Sequence, residues 1–326
     1  MIVWRALTLY VRAVASFVTS GAAGPALCNQ RGSITVDTAF IHAVSANVTV
    51  LAQQREAKVS SAAVLRREEG VVGVTKDFET IAAITLQNLT SRHQDTPILN
   101  PAHGRRRAFF TDAGGGVYVD KVDEVKMLID ANSVYAQSLA RAQNRKFDDL
   151  VIAAFNAAAT DMSSADTVTG TTALPSAQIT ANGGTNLTMT KINTMVAKFN
   201  ADDVDEEDRY FVYSPAGMQK LLGDSTVTSS DFSTIQALTR GTFPQDATWM
   251  GLKWRRSTRL PISGNIRSCF GWQKNAMGLA VGLVSDIMID KVPTKLNSTL
   301  VQLVMSAGAV RIDDKGVYQI DIDESA

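Results

Sequence analysis

The segment between Arg92 and Ala159 most limits what this chain of 326 residues can fold into. A polar loop that contains Pro97 and Pro101 leads into three consecutive arginines, a short strand, a run of three glycines and one of the longest helical patterns of the sequence. An extended segment of this kind has little apolar surface of its own and cannot hold its shape alone. The pattern therefore predicts a subunit that lies across its neighbours, and it favours assembly over catalysis.

The residues on either side of the prolines predict a long hairpin. Residues 78–90 are rich in β-branched side chains, and residues 105–111 supply a return strand. An isolated hairpin is marginally stable in water, so this one must rest on its own domain or on a neighbouring chain. Because successive side chains of a strand point to opposite faces, Arg105, Arg106 and Arg107 cannot line one phosphate-binding groove. We expect them to pair with acidic groups on a neighbouring subunit.

A single apolar stripe predicts a helix over residues 133–160. Phe147, Val151 and Phe155 follow helical spacing, and we expect each of them to be buried against a sheet of the carboxy-terminal strands. At 1.5 Å per residue the helix is about 40 Å long, which is the span of a small domain. The charged residues of the segment are expected on its wetter side: Arg141, Arg145, Lys146, Asp148 and Asp149.

The rest of the chain mixes helices and strands without a regular alternation, which favours an α+β fold over a doubly wound sheet. The glycines at 114–116 lack the ending of a phosphate loop and predict flexible backbone. The turn at 313–316, with glycine last, predicts a hairpin between the two final strands. The other predicted elements are an irregular hairpin over 160–187, helices over 188–199, from Pro215 and up to Gly241, and strands over 209–213, 249–259, 276–284, 300–304, 310–312 and 317–322.

Composition and motifs indicate no catalytic residue, no cofactor and no metal. Lys+Arg and Asp+Glu are equal at 32 each, so no overall charge draws the chain to nucleic acid or to an anionic membrane. The three histidines (His42, His93 and His103) do not have metal-ligand spacing, and Cys28 and Cys269 are expected to be free thiols. No apolar run approaches the roughly 20 residues that span a bilayer.

The first residues resemble a secretory signal only in part. An apolar stretch precedes Cys28, but Arg12 interrupts it and leaves the short run Ala13–Val18. Organised sequence begins at Ser33, so we expect residues 1–32 to be an extension from a misplaced start codon and to be absent from the mature chain. The alternative of a different class is an exported enzyme or surface protein that uses residues 1–28 as a signal.

A series of short motifs, in order from Ser33 to about Glu324, resembles the major capsid proteins of tailed bacteriophages. Each motif is weak alone, and their order over nearly the whole chain makes the resemblance specific. The motifs are Ile34–Phe40 with Leu51–Gln54, Arg92–Pro97, His103–Arg107, Met127–Asp130 with Ser133–Ala136, Arg145–Asp149, Arg209–Pro215, Gly251–Trp254 with Ser257–Pro261, and Met305–Arg311.

The resemblance implies the Hong Kong 97-type coat fold, in which an amino-terminal arm, an extended loop, a peripheral domain with a long spine helix and an axial domain follow one another. Residues 1–32 fall outside the family pattern. We expect the arm over 33–76, the extended loop hairpin over 77–115, the peripheral domain with its spine helix over 116–165, the axial domain over 166–275, and strands returning to the peripheral domain over 276–326.

The function implied is that of the major capsid protein of a tailed double-stranded DNA phage or prophage, which self-assembles into an icosahedral shell around the genome. The implied partners are copies of the chain itself in pentamers and hexamers, scaffolding and portal proteins, and packaged DNA held non-specifically on the inner surface, without a membrane. The chain is expected in the virion after assembly in the bacterial host cytoplasm. Inter-subunit contacts are expected at Arg92, Asp95, Arg105, Arg106 and Arg107. A nanocompartment shell of the same fold that houses an enzyme is the second alternative.

Overall fold

The computed structural model describes residues 53–121, 131–163, 165–223, 243, 245–284 and 287–326. Several predictions from the sequence lie outside these residues: the first part of the amino-terminal arm up to residue 52, the signal-like stretch with Cys28, His42, and the helix that ends near Gly241. The described part of the chain combines three α-helices with sixteen strands. The helices are α1 (Ala131–Asn156), α2 (Met189–Ala201) and α3 (Pro215–Gly223).

The strands form three sheets. In chain order they are β1 (Arg66–Glu69), β2 (Thr75–Ile81), β3 (His103–Phe109), β4 (Thr111–Val119), β5 (Ala159–Met162), β6 (Val168–Thr172), β7 (Ile179–Thr180), β8 (Arg209–Tyr213), β9 (Thr248–Trp249), β10 (Leu252–Arg256), β11 (Ile262–Ser263), β12 (Ile266–Gln273), β13 (Met277–Val284), β14 (Met288–Val292), β15 (Ser298–Arg311) and β16 (Val317–Asp323). The first sheet has the order β1-β13-β15-β14, with β4 also paired to β15. The second has the order β7-β16-β12-β8-β10-β9, with β11 on β12, and the third has the order β2-β3-β5-β6. This mixture of helices and sheets confirms the α+β class.

The long helix α1 packs its apolar stripe as its sequence predicts. Phe147, Val151 and Phe155 are all buried, and the ring of Phe155 lies 4.9 Å from the rings of Phe270 and Trp272 on β12. β12 pairs along its length with the carboxy-terminal strand β16, so the predicted burial of the stripe is confirmed. The helix ends at Asn156 and not near residue 160, because the chain enters β5 at Ala159 and pairs there with β3 and β6.

The beginnings of the two shorter helices also follow from their sequences. The Thr188 side chain accepts a hydrogen bond from the Lys191 amide at the start of α2. The Ser214 hydroxyl accepts one from the Gly217 amide at 3.0 Å, at the start of α3. Proline suits the first position of α3 because its missing N–H has no partner inside a helix. Both hydroxyls satisfy amides that a helix start would otherwise leave unbonded.

The glycine run at 114–116 forms regular strand and not flexible backbone. These residues lie within β4, where Gly114 is opposite Val304 and Gly116 is opposite Gln302 of β15. A β-carbon at Gly116 would lie 3.0 Å from the Leu300 Cδ1 atom. Because Gly116 has no side chain, the Leu300 side chain of β15 can lie over β4. The glycine run itself did not indicate this close packing.

The turn at 313–316 joins two sheets and does not close a hairpin. β15 before it belongs to the first sheet, and β16 after it pairs with β12 in the second sheet. The expected group of returning strands over 276–326 therefore divides between the two sheets. Local turn residues predict a reversal of the chain, but the choice of pairing partner depends on β12 and β13, which are distant from the turn.

Asp148 is fully buried, so its expected place on the wetter side of α1 is wrong. Its carboxylate accepts hydrogen bonds from the amides of Lys58, Val59 and Ser60 at 2.9–3.0 Å. It also accepts one from the Ser60 hydroxyl at 2.8 Å. The segment 53–60 thus covers this part of the helix. Asp149 is about one third exposed and forms an ion pair with Arg259.

Candidate assembly surface

The predicted hairpin is present, with a shorter first strand (Thr75–Ile81) than its sequence indicates and with a return strand of the expected length at His103–Phe109. β2 and β3 pair antiparallel from Thr75 opposite Phe109 to Ile81 opposite His103. The Ala82 amide donates a last hydrogen bond to the Ala102 carbonyl at 2.9 Å. Residues 83–101 beyond it contain no regular strand or helix. We call residues 82–102 the extended loop and the paired strands β2 and β3 its root.

The root of the extended loop rests on its own chain. Phe78 is almost fully buried, and a β-carbon built on Gly278 would lie 2.7 Å from its ring. The ring therefore fills a notch on β13 that only glycine leaves open. Phe78 shares a small apolar cluster with Ala108, Ala159, Ala280, Val310 and Ile312. This cluster anchors the base of the hairpin on the body of the same chain.

The three arginines of β3 alternate between the two faces of the hairpin. Arg105 lies directly opposite Glu79 and bonds to it at 2.7 Å, and Arg107 lies opposite Asp77 and bonds to it at 2.6 and 2.8 Å. Opposite charges in such cross-strand pairs stabilise a sheet. Arg107 also pairs with Asp166. The hydrogen bond from Arg107 lowers the pKa of the Asp77 carboxyl.

Arg106 points to the other face of the hairpin, towards the body. Its guanidinium donates to both carboxylate oxygens of Asp314, at 2.8 and 2.7 Å, and to Asp161 at 3.1 Å. Burial opposes the charge on Arg106, but these carboxylates outweigh it and raise its pKa. The structure thus gives all three arginines acidic partners in their own chain. Their contact with a neighbouring subunit stays a prediction.

Arg92 and Asp95 lie in the extended loop with exposed side chains. Neither forms an ion pair with any residue that the structure describes. Their neighbour His93 has a left-handed backbone, with φ of 60°. The structure therefore places both residues in the extended loop, beyond the strand that carries the three arginines. Their expected contact with another subunit also stays a prediction.

The apolar residues of the extended loop are uncovered. Leu86 is 85% exposed and Ile98 is 94% exposed, and Ile84 and Leu89 are also more than half exposed. Single exposed apolar side chains are common, whereas several of them on one segment make that segment a candidate interaction surface. The sequence places these isoleucines and leucines in the predicted hairpin. That their side chains are exposed is shown by the structure.

A second apolar surface lies on the first sheet. The β15 residues Val301, Leu303 and Met305 are buried, whereas Val304 between them is 41% exposed and points to the opposite face. Register places Tyr118 opposite Leu300 and Met288 opposite Gln302 on that same face. We call this surface the outer sheet face and define it by the exposed residues Tyr118, Leu283, Met288 and Val304.

The described residues assemble no evident catalytic or metal-binding group. Within the described ranges, no three His, Cys, Asp or Glu side chains are placed so that they could hold a metal ion. His93 and His103 are both exposed, and Cys269 is a buried free thiol on β12. None of the helices that the structure describes has the length and apolar character needed to cross a membrane.

Comparison with known proteins agrees with this architecture. Residues 36–324 match the family described as phage capsid protein. The capsid of cyanophage P-SCSP1u has a similar fold, with a TM-score of 0.66 and 17% identity over 92% of this chain and 98% of that chain. The capsid of Ralstonia phage GP4 has a TM-score of 0.68 and 12% identity, over 93% of this chain and 98% of that chain. The capsid of cyanophage Pam1 has a TM-score of 0.64 and 15% identity, over 94% of this chain and 100% of that chain. No curated protein matches significantly.

The family match covers most of the chain, and the solved capsids share its arrangement of sheets and helices over nearly their full length. The fold is therefore the Hong Kong 97-type coat fold that the sequence motifs predict. A protein of this family is a structural subunit of which many copies build the head of a tailed phage, and its place is the virion. The chain belongs to the phage capsid protein family.

Proposed function

We propose that this capsid protein forms rings of five and six copies that join into an icosahedral shell, and that the extended loop makes the main contact between copies. The supporting observation is the exposure of the apolar side chains of the extended loop. Burying apolar surface contributes about 25 cal/mol per Å², so covering these side chains favours association. The role proposed is structural and not enzymatic.

The outer sheet face is the surface that we propose for the other side of this contact. The extended loop and the outer sheet face are two different uncovered apolar surfaces of the same chain. A contact between two different surfaces is heterologous, and copies joined in this way close into rings when the rotation between them is suitable. Arg92 and Asp95 then add charged contacts at the edge of the interface, together with the exposed part of Arg105.

The further partners follow from the proposed shell. We propose a portal protein, a scaffolding protein and packaged DNA held without sequence preference on the inner surface, with assembly in the cytoplasm of the bacterial host. The net charge of zero supports a shell that does not collect its genome with basic tails, because counterions can neutralise the phosphates. The match to phage capsids favours a phage head over a nanocompartment.

Expression of the full chain, followed by sedimentation and electron microscopy, tests this proposal. The variant Leu86→Asn/Ile98→Asn makes the extended loop polar without touching the core, since both side chains are exposed. Val72→Asn is the matched control, because Val72 is 98% exposed but lies between β1 and β2. We expect shells from wild type and control, and folded subunits without shells from the double variant. Normal shells from the double variant would refute the role of the extended loop.

A further inference from the structure

The carboxylate of Asp314 connects the root of the extended loop to the end of helix α1, the long spine helix, beside one direct hydrogen bond from Arg106 to the Arg311 carbonyl at 3.2 Å. Asp314 lies in the turn that carries the chain from the first sheet to the second. Arg106 on β3 bonds to both of its oxygens, and Arg311 at the end of β15 donates to Oδ1 through Nε at 2.5 Å. One carboxylate therefore joins two arginines from different elements.

Arg311 continues this connection to helix α1. Its side chain is fully buried, and its Nη1 atom donates to the carbonyl oxygens of Phe155 and Ala157, both at 2.9 Å. Phe155 lies in the last turn of α1, where carbonyls have no partner within the helix. Nη2 donates to the Thr172 carbonyl on β6 at 2.8 Å. A cation at this position also interacts favourably with the dipole of the helix.

The charges of this group are balanced. Two guanidinium groups, those of Arg106 and Arg311, face two carboxylates, those of Asp161 and Asp314. Three of the four side chains are less than one fifth exposed. Loss of the Asp314 charge would leave two buried cations with one acidic partner, and like charges in a poorly solvated site repel each other strongly.

We propose that Asp314 couples the angle of the extended loop to the end of the spine helix, so that hairpin root and helix move as one unit. Without the Asp314 carboxylate the root keeps its apolar cluster, its pairing with β5 and the bonds of Arg106 to Asp161 and to the Arg311 carbonyl, but it loses its two shortest bonds to the body, so it can tilt while the body stays folded. This coupling matters for the proposed shell because rings of five and six copies place the extended loop at different angles to its neighbour. Only this consequence for assembly rests on the proposed function.

The test measures the distance between hairpin and helix in unassembled full-length subunits. Spin labels are attached at His103→Cys on β3 and Gln137→Cys on α1, both exposed positions, in a chain with Cys28→Ser; Cys269 is buried. The variant is Asp314→Asn, which keeps the shape of the side chain and removes its charge. Asp77→Asn is the matched control, because it removes an equally close arginine pair that stays within the hairpin.

We expect Asp314→Asn to shift or broaden the distribution of distances between the two labels, while Asp77→Asn keeps the wild-type distribution. An unchanged distribution in folded Asp314→Asn would overturn the proposal, and so would an equal change in Asp77→Asn. If Asp314→Asn does not fold, Arg106→Gln is the second test, because it removes the bonds from the hairpin to Asp314 and leaves the bond from Arg311 in place. A shifted distance distribution in Arg106→Gln supports the coupling, and an unchanged one overturns it. The measurement needs no shells, so its result is independent of the proposed assembly.

Discussion

The Asp148 carboxylate oxygen Oδ1 accepts hydrogen bonds from both the amide and the hydroxyl of Ser60, at 3.0 and 2.8 Å. Asp148 lies on helix α1, and Ser60 lies within the expected amino-terminal arm, 88 residues earlier in the chain. A single buried carboxylate therefore holds this part of the arm against the helix. The neighbouring amides of Lys58 and Val59 bond to the same group.

Replacing Asp148 by alanine should destabilise the subunit strongly. The change leaves three backbone amides without their acceptor, and an unsatisfied buried donor costs about 1–3 kcal/mol. Asp149→Ala is the control, because the ion pair of Asp149 with Arg259 is about one third exposed and such pairs contribute about 0–1 kcal/mol. Urea unfolding of both variants measures the difference. Equal midpoints for the two would show that Asp148 does not anchor the arm.

Phe155→Ala should give misfolded or aggregated subunits. The ring of Phe155 is fully buried in contact with the rings of Phe270 and Trp272, and truncation of such a side chain typically costs about 3–5 kcal/mol. That is a large share of a typical domain stability of about 5–15 kcal/mol. Phe109→Ala serves as the control, since Phe109 is 53% exposed. Thermal unfolding and soluble yield should separate the two, and a wild-type unfolding temperature for Phe155→Ala would contradict the placement of the helix.

These two residues show what the sequence can and cannot predict. Phe155 belongs to a stripe with helical spacing, and that local pattern is enough to predict its burial. Asp148 follows Phe147 on the charged side of the same helix, and only the distant segment at 53–60 makes it a buried residue. The spacing of residues within a helix cannot show which side chains a distant segment of the chain will bury.

The same limit applies to the turns and to the assembly surface. The residues at 313–316 correctly predict a turn, but the partner of β16 is β12, which the turn cannot specify. The arginines at 105–107 predict acidic partners, and their alternation on a strand is correct. Their partners lie in the same chain because the pairing of β2 with β3 puts Asp77 and Glu79 opposite two of them. The sequence alone does not specify which residues of the two strands lie opposite each other.

Acid should weaken the root of the extended loop. Arg107 holds the folded-state pKa of Asp77 below its ordinary value of about 3.9, and Arg106 and Arg311 outweigh the effect of burial on Asp314 to lower its pKa too. A lowered folded-state pKa gives stability that is complete above the ordinary value and is lost as pH falls through the folded-state value.

Unfolding temperatures measured between neutral pH and roughly pH 3 should therefore fall for wild type mainly below about pH 4. Asp77→Asn should lose less stability over the same interval, since its own contribution is already absent at neutral pH. A variant with the same loss as wild type would show that the pair of Asp77 with Arg107 contributes nothing to this acid sensitivity.

Cys269 should not react with thiol reagents in the folded subunit. The thiol is fully buried on β12, and burial raises its pKa to about 12, so the reactive thiolate is scarce at neutral pH. Mass spectrometry after alkylation in Cys28→Ser should show no labelling without denaturant and complete labelling in urea. Rapid labelling of the folded subunit would mean that the second sheet opens readily.

The structure of an assembled particle, determined by cryo-electron microscopy, tests the central claim most directly. The account predicts a closed shell in which Leu86 and Ile98 of each extended loop are buried against a neighbouring copy, with Tyr118 and Val304 of the outer sheet face covered. A shell in which the extended loops remain in solvent, or in which the contacts between copies lie elsewhere, would contradict it.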